Sequence, residues 1–87
     1  MINQNLSQAA RLAPIVERVH GAHHPEMIRV REITQELADS DAARAEGLFR
    51  ELRAVTGGYA VPGDVCEAFE ATYRALERAD AEIAQAA

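Results

Sequence analysis

The sequence predicts an all-α protein, an antiparallel helical bundle formed by a single domain over residues 1–87. It reads as three helices with a long central one, or as four short helices if the chain turns at residues 39–41. Three observations lead there. Apolar residues return every three or four positions along nearly the whole chain, the spacing that lays them on one face of a helix. No stretch alternates apolar and polar residues as a half-buried strand does. Glycine and proline, the strongest punctuation, gather at 21–25 and 57–63.

In the first helix, read as 3–20, Ile2, Leu6, Ala9, Ala13, Val16 and His20 form the stripe, widened by Leu12, Ile15 and Val19. Pro14 removes one backbone bond and is expected to bend the helix. Gly21 is its expected stop, in the left-handed conformation. His23-His24-Pro25-Glu26 then starts a new helix, with proline at the first position and an acid near the positive end of the dipole.

The next stripe runs through Met27, Val30, Ile33/Thr34, Leu37/Ala38, Ala42, Ala45, Leu48/Phe49, Leu52 and Val55 without losing phase. Asp39-Ser40-Asp41 is its only interruption. Ser40 or Asp41 is able to cap a new helix, but no glycine or proline forces a turn there. The unbroken phase favours one continuous helix of about thirty residues, ~45–50 Å long. Gly57-Gly58 ends it, and Val61-Pro62-Gly63 is a loop. Asp64 with Glu67 resembles a capping box opening the last helix, whose inward residues are Val65, Phe69, Tyr73, Leu76 and Ile83, with Ala79 small between them. Glu46–Arg50 and Glu70–Arg74 are spaced as favourable i,i+4 pairs.

Composition narrows the function classes. The net charge is −5, and all nine basic residues are arginine. No basic stripe is present to displace counterions from phosphates, so nucleic acid is not expected as a partner. No apolar run approaches the ~20 residues that span a bilayer, and Met1 to Leu6 has no signal-peptide pattern. The lone Cys66 allows no disulfide within one chain and suits a reducing compartment. A cytoplasmic protein is expected.

The ligand-type residues that cluster are His20, His23, His24 and Glu26. Imidazole and carboxylate suit iron, zinc or copper, but Gly21 and Pro25 interrupt any common helical face. The simpler reading makes His20 a helix-end residue favoured by the dipole, with His23 and His24 in the loop and cap. Cys66 lies where a helix dipole promotes thiol reactivity, yet a reactive thiol also needs exposure and a base. A small buried hydrophobe is its simpler role. Tyr59 and Tyr73 read as packing residues with wet hydroxyls. Glu67, Glu70, Glu77, Asp80 and Glu82 read as the solvated face of the last helix.

Two stretches resemble the hemerythrin-like di-iron proteins of the iron–sulfur cluster repair family. One is Val16-Glu17-Arg18-Val19-His20-Gly21 with His24-Pro25-Glu26. The other runs from Ala45-Glu46-Gly47-Leu48-Phe49-Arg50-Glu51-Leu52-Arg53 through Val55-Thr56-Gly57-Gly58-Tyr59 and Pro62-Gly63-Asp64-Val65-Cys66 to Phe69 and Tyr73-Arg74-Ala75-Leu76. Together they span residues 16–26 and 45–76, about half of the chain. The resemblance implies a four-helix bundle with two irons held by histidines and bridging glutamates, and a role in cluster repair. His20 matches a ligand histidine. Two other ligand histidines fall at Ala42 and Ala86, and the second-helix ligand segment has no counterpart. Too few ligands match for a paired-iron centre.

The expected function is therefore a non-enzymatic, metal-deficient hemerythrin-like interaction or dimerisation module, without cofactor, tied by resemblance to iron or nitrosative-stress handling. A homodimer is expected, because Leu37, Ala38, Ala42 and Ala45 would remain uncovered in one chain; another protein partner also suits the module. The alternative is a metal-binding protein that holds one iron or zinc through His20, His23, His24 and Glu26 at an oligomer interface. A third reading is an enzyme using Cys66 as a redox thiol.

Overall fold

Four α-helices make up the computed structural model, which describes residues 3–84: α1 Gln4–His20, α2 Glu26–Ala38, α3 Ala42–Thr56 and α4 Glu67–Ile83. Ile2 and Ala86 lie outside the described residues. α1 packs on α2 and α4, and α3 packs on the same two helices from the other side. Two cross-links at opposite ends of α1, His20 to Cys66 and Asn5 to Glu82, show that α1 and α4 run antiparallel. Arg29 to Glu51 and Arg44 to Glu36 show the same for α2 and α3.

Asn3 caps α1, its side chain accepting the Leu6 amide at 3.1 Å. Leu6, Ala9, Ala13 and Val16 are buried as expected, but Ile15 and Val19 are 45% and 64% exposed. One residue step rotates a side chain by about 100°, so the flanks of the stripe leave the core. The helix continues through Pro14. It ends at Gly21, not in the left-handed conformation but at φ −58°, ψ −28°. Glycine answers a different need there, since a Cβ would approach the Glu17 carbonyl oxygen to 2.5 Å.

The continuous central helix is not what forms. Ala38 ends α2, Asp39 takes φ −107°, ψ 8°, and Asp41 becomes the extended N-cap of α3. Its carboxylate accepts the Arg44 amide at 2.8 Å, while the Ser40 hydroxyl donates to the Leu37 carbonyl at 3.0 Å. Side chains thus satisfy the backbone groups that a turn frees. The two helices keep a common apolar phase because both face one core. Leu37 and Ala45 are fully buried within the single chain, while Ala38 and Ala42 are exposed. The four-residue set expected to need a partner's cover is therefore covered or small.

Gly57 closes α3 at φ 63°, ψ 41°, the left-handed cap. The N-cap of α4 is Cys66, not Asp64, whose carboxylate is drawn to His24 instead. Tyr73, Phe49 and Phe69 are the largest fully buried side chains, and Met27, Ile33, Leu52 and Leu76 fill the space around them. No described helix is long and apolar enough to cross a membrane.

Candidate functional site

The end of α1, the 21–25 connection and the start of α4 meet at one end of the molecule. His20 stands in the last turn of α1, where its carbonyl accepts the amides of His23 at 3.1 Å and His24 at 2.8 Å. That turn brings His24 back beside His20, with ring centroids 6.4 Å apart. Both rings set their edges against Phe69, at 5.5 and 5.4 Å, and Phe69 in turn packs on Tyr73 at 4.8 Å. A fully buried aromatic ring therefore orients both histidines.

Their polar atoms go to different partners. His20 Nε2 lies 3.1 Å from Cys66 Sγ. His24 Nδ1 is 3.3 Å from Glu26 Oε2, and its Nε2 is 3.2 and 3.3 Å from the two oxygens of Asp64. His23 is exposed and joins neither group. Of the four candidate ligands, the fold brings His20, His24 and Glu26 to one region and leaves His23 outside. Among the described residues, no three His, Cys, Asp or Glu side chains converge as a metal-binding group. Among the described residues the buried polar side chains are Thr34, Ser40, Thr56, Thr72 and Asp80, with no imidazole among them.

One single-residue reading changes here. Cys66 is exposed rather than buried. It makes no side-chain cap bond to α4, so its sulfur faces the ring of a residue 46 positions away. Neither residue type nor spacing along the chain signals that pairing.

A second polar centre escaped the sequence reading. Asp80 is fully buried rather than on a solvated face. Its two oxygens accept from Arg53 at 2.7 and 2.8 Å and from the Tyr59 hydroxyl at 2.6 Å. Tyr59 is itself buried and sits at φ 63°, in the left-handed region. Three bonds secure it in that conformation: the Asp80 bond, its amide to Thr56 Oγ1 at 2.9 Å, and Arg74 donating to its carbonyl. Its hydroxyl is not wet. Burial first, and the Asp80 bond second, raise the Tyr59 phenol above the ordinary value of 10.0. Burial, with Glu26 adding to it, pushes Tyr73 up to about 12. Arg74 pairs with Glu77 at 2.6 Å rather than Glu70, whereas the expected Glu46–Arg50 pair forms at 3.3 Å. Asp80 was legible in part, because the series 69, 73, 76, 80 keeps helical spacing along the buried face.

A surface depression of about 390 Å³ is lined by Arg29, Glu32, Gln35, Glu36 and Asp39. Arg29 occupies it with ion pairs to Glu32 and Glu36 and a further pair to Glu51. Compared with known proteins, the chain matches no family model, no curated protein and no solved structure.

Proposed function

We propose that the chain is a non-enzymatic, metal-deficient hemerythrin-like helical module that acts by contact with another protein surface. The observation that carries this reading is the content of the interior. Among the described residues it packs Met27, Ile33, Phe49, Phe69, Tyr73 and Leu76, and no histidine is among its buried residues. The resemblance supplies the tie to iron or nitrosative-stress handling. Assembly as a two-fold homodimer belongs to the same proposal. Its support is the apolar surface left at Ile15, Val19 and Ile28, each more than 40% exposed. Light scattering tests it; a compact monomer at micromolar concentration removes the homodimer.

Iron analysis tests the module reading itself. Protein purified without chelators and without nickel is expected to leave gel filtration with far less than stoichiometric iron. Stoichiometric iron, or an oxygen-bridged iron absorption band, overturns the proposal.

The second reading, one iron or zinc at an oligomer interface, draws support from the two imidazoles 6.4 Å apart at the end of the bundle. Since no three donors converge among the described residues of one chain, a second copy would have to complete the set. Under this reading His20→Ala abolishes metal binding and weakens assembly; under the first it leaves assembly unchanged.

A further inference from the structure

We propose that Cys66 and His20 form a thiol-exchange site, in which the imidazole takes the thiol proton and the sulfur attacks a low-molecular-weight disulfide. The inference stands apart from the module reading, because it concerns a surface pair and not the interior.

Two requirements of a reactive cysteine that sequence alone leaves open are met together. The thiol is exposed, and a base lies within hydrogen-bond reach, 3.1 Å from Sγ. Neither partner is loosely held. Cys66 is fixed as the extended N-cap of α4, at φ −87°, ψ 173°, and its carbonyl accepts the Glu70 amide at 3.2 Å. His20 is fixed by the last turn of α1 and by an edge contact with buried Phe69 at 87° between ring planes. A base oriented by a third group is the arrangement that nucleophilic catalysis uses.

The charges nearby act in both directions. The unbonded amides of the first turn of α4 favour a negative sulfur. Glu67 and Glu70 in that same turn oppose it. Asp64, two residues before the cysteine, has both oxygens against His24 Nε2. His24 thereby holds that carboxylate, and His20 is the imidazole that faces Cys66.

The exchange balances without a further reactant. The Cys66 proton passes to His20 Nε2. The thiolate attacks one sulfur of the disulfide, a new bond forms to Sγ, and the old sulfur–sulfur bond breaks. The departing thiolate takes the proton from His20 and leaves as a thiol. Cys66 is oxidised to the mixed disulfide and the leaving sulfur is reduced. The chain has no second cysteine to resolve the product, so the adduct persists until an external thiol removes it. While it persists, Sγ has no proton to share with His20 Nε2.

The test is the reaction rate at neutral pH with iodoacetamide and with an aromatic disulfide. Wild type, His20→Gln, His20→Ala and His24→Gln are compared with a peptide of residues 62–70. Wild type is expected to react on the order of tenfold faster than the peptide, as an activated thiol does. Both His20 variants are expected to fall to the peptide rate, while His24→Gln keeps most of the rate. Glutathione disulfide is expected to add once, at Cys66, by mass spectrometry. A wild-type rate no faster than the peptide, or a His20→Gln rate equal to wild type in a folded protein, overturns the proposal. If the His20 variants fail to fold, the comparison of wild type with peptide decides it. Iron content has no bearing on this outcome.

Discussion

Asp80 is a carboxylate without solvent contact, held by Arg53 and Tyr59, and it shows how one buried charge shapes its surroundings. Removing one partner of a buried ion pair costs about 3–5 kcal/mol when both are desolvated. Arg53 keeps about a third of its side-chain surface exposed, so Asp80→Ala is expected to cost less, about 2–3 kcal/mol. The urea midpoint measures it. Tyr59 depends on the same residue, since the Asp80 bond helps hold its left-handed backbone against a cost of about 1–3 kcal/mol. The tyrosines also set an alkaline limit. Both phenols are raised above 10.0, Tyr73 to about 12, so the unfolded chain releases these protons first. Their contribution is complete below the ordinary phenol value and is lost as pH rises through the folded values. Stability is expected to fall above about pH 10, with a shallower fall in Tyr59→Phe. Residue type alone places Asp80 with the solvated acids. The spacing from Phe69, Tyr73 and Leu76 pointed inward, and composition pointed outward.

At the scale of the element, the turn at 39–41 separates what periodicity reveals from what it hides. All four apolar faces were legible, and α1 and α3 end where glycine predicts. The break between α2 and α3 was not, because two helices sharing one core keep one phase across a short turn. Its only local signal was a pair of cap residues, each worth about 1 kcal/mol. Asp41→Ala is accordingly expected to cost about 1 kcal/mol and to speed amide exchange at Ala42, Ala43 and Arg44, whose amides lie at the start of α3. Unchanged exchange there would show that packing of Leu37 and Ala45 alone sets the turn. Capping misled at α4 for a related reason. Asp64 suits an N-cap by type, yet His24 binds it, and Cys66 takes the position.

Across the whole molecule, ion pairs join helices that the apolar core already packs. Arg29 links α2 to α3 through Glu51, and Arg31 links α2 to α1 through Glu17. The Arg29 hydrogen bond holds Glu51 below the usual carboxylate value, and the Asn5 and Asn3 amides do the same for Glu82. A lowered carboxylate contributes stability above its unfolded value and loses it as pH falls through the folded one. Thermal stability is therefore expected to drop on acidification below about pH 4.5, less steeply in Glu82→Gln. The candidate site was legible as separate residues. His20 and Cys66 each stood out by type, but their contact spans 46 positions and belongs to the packing of α1 on α4. The Asn3 and Asn5 bonds to Glu82 carry a consequence of their own, since they place the beginning of α1 beside the last turn of α4. A circular permutant that joins these neighbouring ends by a short linker and opens the chain at Ser40 should retain the native helix order in space, with its new termini emerging from between α2 and α3.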